Sequence, residues 1–218
     1  MGEFVELLAA NAAKLPNLRG LFLGDILQEE NEISWIHQSD ISPALTAFPG
    51  LEELIVRGQE GLKFSPCQHA SLKKLIIETG GMPKEVLRGL AATSLPSLEH
   101  LELWLGTDEY GWDGSIDDIE LLVHPDHFPE LRHLALGNSD LQNEIAESLA
   151  DAPVLDRLEV LDLSLGVMTD EGAASLLASE RVRKLKKLNL HRNYLSSATA
   201  GQFALLGIEV DVSGQETP

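Results

Sequence analysis

Leu158-Glu159-Val160-Leu161-Asp162-Leu163 and, 27 residues on, Leu185-Lys186-Lys187-Leu188-Asn189-Leu190 share one apolar pattern, L-x-x-L-x-L. The pattern recurs toward the N-terminus as Leu131-x-x-Leu134-x-Leu136, Leu98-x-x-Leu101-x-Leu103, Leu72-x-x-Leu75-x-Ile77, Leu51-x-x-Leu54-x-Val56 and Leu18-x-x-Leu21-x-Leu23. A degenerate eighth copy, Leu205-x-x-Ile208-x-Val210, closes the series. One copy would carry no information, because leucine is common, but seven good copies define a repeat. Successive copies start 33, 21, 26, 33, 27, 27 and 20 residues apart. A spacing near 27 has room for one strand and one helix. The alternating leucines of a strand point to one side, so each unit needs its neighbours to bury them.

The segments between strands carry helix signals. Pro83 to Leu90 opens with proline at a first-turn position. Leu141, Ile145 and Leu149 form one apolar stripe at i, i+4, i+8. Thr169 precedes two acids and a helical run to Leu177, which marks it as an N-cap. Gly61 to Ala70 is too short, and too broken by Pro66, to be a helix. At the front, Glu3 to Leu15 predicts a helix that precedes the first strand. It is either a cap or the second half of a unit whose strand lies outside this sequence. Ser213 to Pro218 reads as a short polar tail.

The run from Leu158 to Ala173 resembles the ribonuclease-inhibitor-like class of leucine-rich repeats. So does Leu188-Asn-Leu-His-Arg-Asn193-Tyr-Leu195, in which Asn193 holds the place of the family's turn asparagine. Ser139 and Gly166 stand there in the two preceding repeats, so the asparagine ladder is weak. The chain also resembles a group of bacterial cytoplasmic leucine-rich-repeat proteins. The resemblance implies a single α/β domain over 1–218, a right-handed horseshoe solenoid with parallel strands on the concave face and helices on the convex face. It implies interaction rather than a reaction, and in the family the turn asparagine bonds turn backbone and bridges adjacent repeats.

Bulk properties narrow the partners. The 218 residues carry 35 acids against 16 bases, a formal charge of −19, which repels phosphate backbones and anionic membrane surfaces. Neither nucleic acid nor membrane is expected as a partner. Aromatics make up only 5% of the chain, and no apolar run approaches the ~20 residues a membrane helix needs. The start, Met1-Gly2-Glu3-Phe4, lacks a signal-peptide pattern. Cys67 is the single cysteine, which excludes an internal disulfide and points to the reducing cytoplasm. It reads as a structural cysteine rather than a nucleophile.

Candidate contact residues come from departures from the repeat. The two 33-residue spacings hold the long connectors Gly24 to Asp40 and Trp104 to Asp118, and all three tryptophans and one of two tyrosines fall there. Insertions in such stacks project from one rim, and Trp and Tyr anchor interfaces. Trp35, Trp104, Tyr110 and Trp112 are therefore candidate anchors, with Asp25, Asp108 and Asp113 favouring a protein partner with basic groups. The competing reading has the tryptophans plugging gaps inside the fold. The outward middle strand positions run Phe22, Ile55, Ile76, Glu102, Ala135, Asp162 and Asn189. Phe22, Ile55 and Ile76 thus predict an apolar patch, since neighbouring strands lie ~4.8 Å apart.

No nucleotide-binding, hydrolase or zinc-protease motif is present, so neither an enzyme nor a cofactor is expected. His100 and His133 occupy equivalent places and are expected to stack, which is half a zinc site at most. The acids from Asp108 to Asp118 offer oxygen ligands for a calcium-like ion but lack the D-x-D-x-D-G spacing. A cation-ordered loop is the second functional reading, and a purely structural domain of a longer protein the third. Self-association through the N-terminal strand edge is also expected.

Overall fold

The expected strands form one sheet in the computed structural model, which describes residues 2–27 and 29–217. They are β1 (Gly20–Leu23), β2 (Glu53–Arg57), β3 (Lys74–Glu78), β4 (His100–Gly106), β5 (His133–Ser139), β6 (Val160–Asp162), β7 (Lys187–Asn189) and β8 (Glu209–Asp211). Every pair is parallel and the spatial order is the chain order, β1 to β8. Parallel pairing requires a crossover between strands, and the long repeat spacing supplies it. The register aligns Leu21, Leu54, Leu75, Leu101, Leu134, Leu161 and Leu188 in one row.

The eighth copy departs from the expected register. Leu188 pairs with Val210, so Val210 and Val212 take the places of Leu188 and Leu190, two residues later than the motif suggested. Ile208, Val210 and Val212 alternate along the chain, so the apolar pattern alone permits either pairing.

Seven α-helices lie among the described residues: α1 (Gly2–Ala10), α2 (Ser42–Ala47), α3 (Lys84–Ala91), α4 (Ile116–Leu122), α5 (Gln142–Ala150), α6 (Asp170–Ala178) and α7 (Ser197–Gln202). Buried apolar residues of α1 to α6 join the strand leucines in one continuous core. The helix expected over 3–15 stops at Ala10 and ends in a 3-10 turn at Ala12–Lys14. Val5 is the residue of α1 that is buried, while Phe4 and Leu7 are exposed. Thr169 caps α6 as expected, its hydroxyl accepting from the Glu171 N–H at 3.4 Å.

No helix forms between β2 and β3, and His69 helps to fill the gap. Its ring is buried, with Nδ1 accepting from the Leu72 N–H at 3.0 Å. That leaves Nε2 protonated to donate to the Phe48 carbonyl at 3.0 Å, which fixes the neutral tautomer.

The turn after the strands is built the same way in several repeats. Four residues past the central leucine, or past Val210, stand Gly58, Asn138, Leu165, Arg192 and Gly214, all at positive φ. Four of these N–H groups donate to carbonyls at the next strand's exit: Gly58 to Glu78, Asn138 to Ser164, Leu165 to His191 and Arg192 to Ser213. One residue further on, Asn193 is fully buried. Its Nδ2 donates to the Leu163 and Leu190 carbonyls at 2.9 and 3.1 Å, and its Oδ1 accepts from the Met168 N–H at 3.0 Å. Gln215 repeats this one unit later, donating to the Leu190 and Val212 carbonyls and accepting from the Leu195 N–H at 3.0 Å. The stretch read as a polar tail therefore closes the last turn. Gly166 has no side chain to do the same, and buried Gln142 reaches in from α5 to donate to the Leu136 carbonyl at 2.9 Å.

Candidate functional site

The strands all end on one side of the sheet, and there two clefts of about 500 and 470 Å³ lie side by side. The first is lined by Ile26, Ile33, Arg57, Trp104, Thr107 and Tyr110 among others. The second is lined by Trp104, Thr107, Asp140, Val167, Arg192 and Tyr194 among others. Trp104, Thr107 and Asn138 belong to both, so the clefts form one groove along the strand ends.

Trp104 is the centre of that groove, and it sits in β4 rather than in a connector as first read. Its indole Nε1 donates to Glu102 Oε1 at 3.0 Å, and Glu102 Oε2 lies 3.4 Å from His100 Nε2. The bond from His100, together with that from Trp104, outweighs partial burial and holds the Glu102 carboxyl below its usual range. His100 stacks on His133 as expected, with ring centroids 3.9 Å apart and planes 16° from parallel. Burial first, then the neighbouring His100, pushes His133 down to about 4. The tryptophan is thus oriented by a chain of polar contacts running across the sheet face.

The two long connectors do meet. Ile26 and Ile33 of the first and Tyr110 of the second line the same cleft. The second folds over the turn after β3. Thr107 donates its N–H to the Gly80 carbonyl at 2.9 Å and Met82 donates to Leu105 at 2.7 Å. Gly81 permits this approach, because a Cβ there would meet the Tyr110 carbonyl.

Several candidates stand elsewhere. Trp112 is only 7% exposed and packs in the core, so it plugs the connector's gap instead of presenting an anchor. Asp113 is exposed but tied to the start of α3, accepting from the Lys84 N–H at 2.8 Å and pairing with its Nζ at 3.2 Å. Those bonds, the backbone one foremost, lower its carboxyl pKa. Trp35 is 62% exposed and follows Ile33 in a 3-10 turn, but it does not line the groove. Asp25 and Asp108 are exposed beside the groove's lining residues in sequence.

The apolar patch is smaller than its sequence suggested. Ile76 is buried, Ile55 is half-buried, and the Phe22 ring lies under the Arg57 guanidinium at 5.3 Å. Ion pairs Lys74–Glu53 at 2.9 Å and Arg57–Glu78 at 2.6 Å flank the row. Middle strand positions show which face a residue takes, not how far the long charged neighbours on that face lie over it.

The groove residues that sequence reasoning missed include Ile26, Arg57, Asn138, Asp140, Arg192 and Tyr194. Asn138 and Arg192 carried a signal, the same place in the repeats of β5 and β7. Cys67 is half-buried with its thiol pushed up, chiefly by burial, and its N–H bonds the Thr93 hydroxyl at 3.2 Å. Among the described residues no group of three or more His, Cys, Asp or Glu is arranged to hold a metal ion. Among them, too, no helix is long and apolar enough to cross a membrane.

No family model and no curated protein matches the chain. The crystal structure of a protein from Bacteroides fragilis is similar over 100% of this chain, with a TM-score of 0.95 and 36% identity. The chain spans 62% of that protein's length.

Proposed function

We propose that this chain is a leucine-rich-repeat solenoid of the ribonuclease-inhibitor-like class, a right-handed horseshoe that serves in the cytoplasm as a protein-binding scaffold and not as an enzyme. The solenoid reading rests on the eight parallel strands in chain order and on the side-chain bridges of Asn193 and Gln215 between adjacent repeats. The binding reading is carried by one observation, the continuous groove across the strand ends with Trp104 at its middle and Tyr110 and Tyr194 to either side. Aromatic side chains in a concave, partly desolvated setting are the residues from which interfaces draw most of their affinity. The partner engages the groove, with the adjoining half-buried Phe22 and Ile55 extending the contact. The calcium-like loop gains no support, because Asp113 and Asp118 are engaged by Lys84 and Arg88.

Capture of partners from the native cytosol tests this. Trp104→Ala is expected to lose a protein that the wild type and Trp35→Ala both retain, with the circular dichroism of all three alike. A specific partner held equally by Trp104→Ala would overturn the groove reading.

A further inference from the structure

We propose that the groove's occupant is an extended segment of another protein bearing arginine or lysine, its cationic group lying against Trp104 and Tyr110 between Asp108, Glu109 and Asp140. This rests on the scaffold reading and adds the chemistry of the partner. Elsewhere in this acidic chain many carboxylates have cations: Asp113 pairs with Lys84, Asp118 with Arg88, Asp156 with Arg181 and Lys184. Among the described residues, Asp108, Glu109 and Asp140 pair with none. Asp108 and Glu109 are instead near enough for their charges to act on Asp140. Partial desolvation, and then the charges of Asp108 and Glu109, raise the Asp140 carboxyl pKa.

Asp140 lines the groove next to Trp104, while Asp108 and Glu109 share a 3-10 turn with Tyr110, which lines it from the other side. Three like charges held together store repulsion that a cation relieves. An indole and a phenol ring beside them supply the faces on which guanidinium and ammonium groups rest. Arg57 is already held by Glu78 and the Phe22 ring, and Arg192, which lines the second cleft with Asp140, is not among the charges that act on that carboxyl. The groove runs along several strand exits, which suits an extended chain better than a compact ligand.

Binding of two fluorescently labelled hexapeptides, acetyl-(Arg-Ala)3-amide and acetyl-(Glu-Ala)3-amide, is to be read by anisotropy at low salt. The arginine peptide is expected to bind and the glutamate peptide not to. The double variant Asp108→Asn/Asp140→Asn should weaken the arginine peptide about tenfold, in keeping with close interfacial charge pairs. Glu3→Gln/Glu6→Gln on exposed α1 removes the same charge away from the groove and should leave binding within about twofold, since rim charges at a distance are screened. Equal weakening by both doubles would show non-specific attraction to an acidic protein and overturn the proposal. So would absence of arginine-peptide binding at millimolar concentration. If either occurs while cytosolic capture still depends on Trp104, the scaffold reading stands and the basic partner falls.

Discussion

Asn193 makes three hydrogen bonds from a side chain with no exposure, and it joins two repeats through them. Asn193→Ala leaves buried backbone groups without partners, at about 1–3 kcal/mol for each group stranded. Because relaxation recovers part of that, the expected loss is roughly 2–4 kcal/mol by chemical denaturation. Leu165 and Arg192 hold positive φ without being glycine, a strain of order 1 kcal/mol each. Leu165→Gly should therefore be more stable than Leu165→Ala by about that amount, since both lose the side chain and only glycine loses the strain. His133 gives a pH prediction. Its folded pKa of about 4 lies below the ordinary 6.5, so the unfolded chain binds the proton more readily. The stabilisation is full above pH 6.5 and is lost as pH falls from there toward 4. Glu102 loses its contribution in the same downward direction, but starting only near its ordinary 4.5, at the acidic end of that window. His133→Gln should flatten the stability profile between pH 6.5 and 4 while leaving the more acidic limb in place.

The strands were legible because leucines spaced by repeat length admit one parallel register over seven copies, from Leu18 to Leu190. Helices α3, α5 and α6 were legible from proline, stripe and cap. The connectors were not, because they have no period that tells inside from outside. Trp35 and Trp112 look alike in sequence, yet one is 62% exposed and the other 7%. What separates them is Gly81, where a Cβ would meet the Tyr110 carbonyl and the Trp112 nitrogen, and which lets the second connector close over the turn after β3 with Trp112 inward. Trp112→Ala is expected to cost about 3–5 kcal/mol as a core deletion, and Trp35→Ala less than about 0.5. Gly81→Ala should push Tyr110 off its seat and weaken groove binding with most of the fold intact, as heteronuclear spectra would show by changes confined to the connector and groove. Gln142 and Gln215 were equally hidden. Glutamine reaches the bridging position from a different place or with a longer arm than asparagine, so no fixed-position motif finds it.

At the scale of the whole molecule, β1 and β8 are the edges of the sheet among the described residues, each paired with a strand on one side. Near β1, exposed Phe4, Leu7 and Leu15 add apolar surface. We expect association that grows with concentration in light scattering, reduced by Gly20→Lys, which puts a charge on the β1 edge where there is space for it. The strictly sequential strand order has a mechanical counterpart. Within the sheet, each strand's ladder joins it to the strands before and after it in the chain. A protein held by its two ends and stretched should not resist and then snap. It should shed one unit after another in a sawtooth, each tooth releasing the contour of one spacing of 20 to 33 residues, or roughly 70 to 115 Å of extended chain at about 3.5 Å per residue. The turn bridged by Asn193 should give the tallest tooth among its neighbours, so this molecule would behave under load as a graded spring rather than a latch.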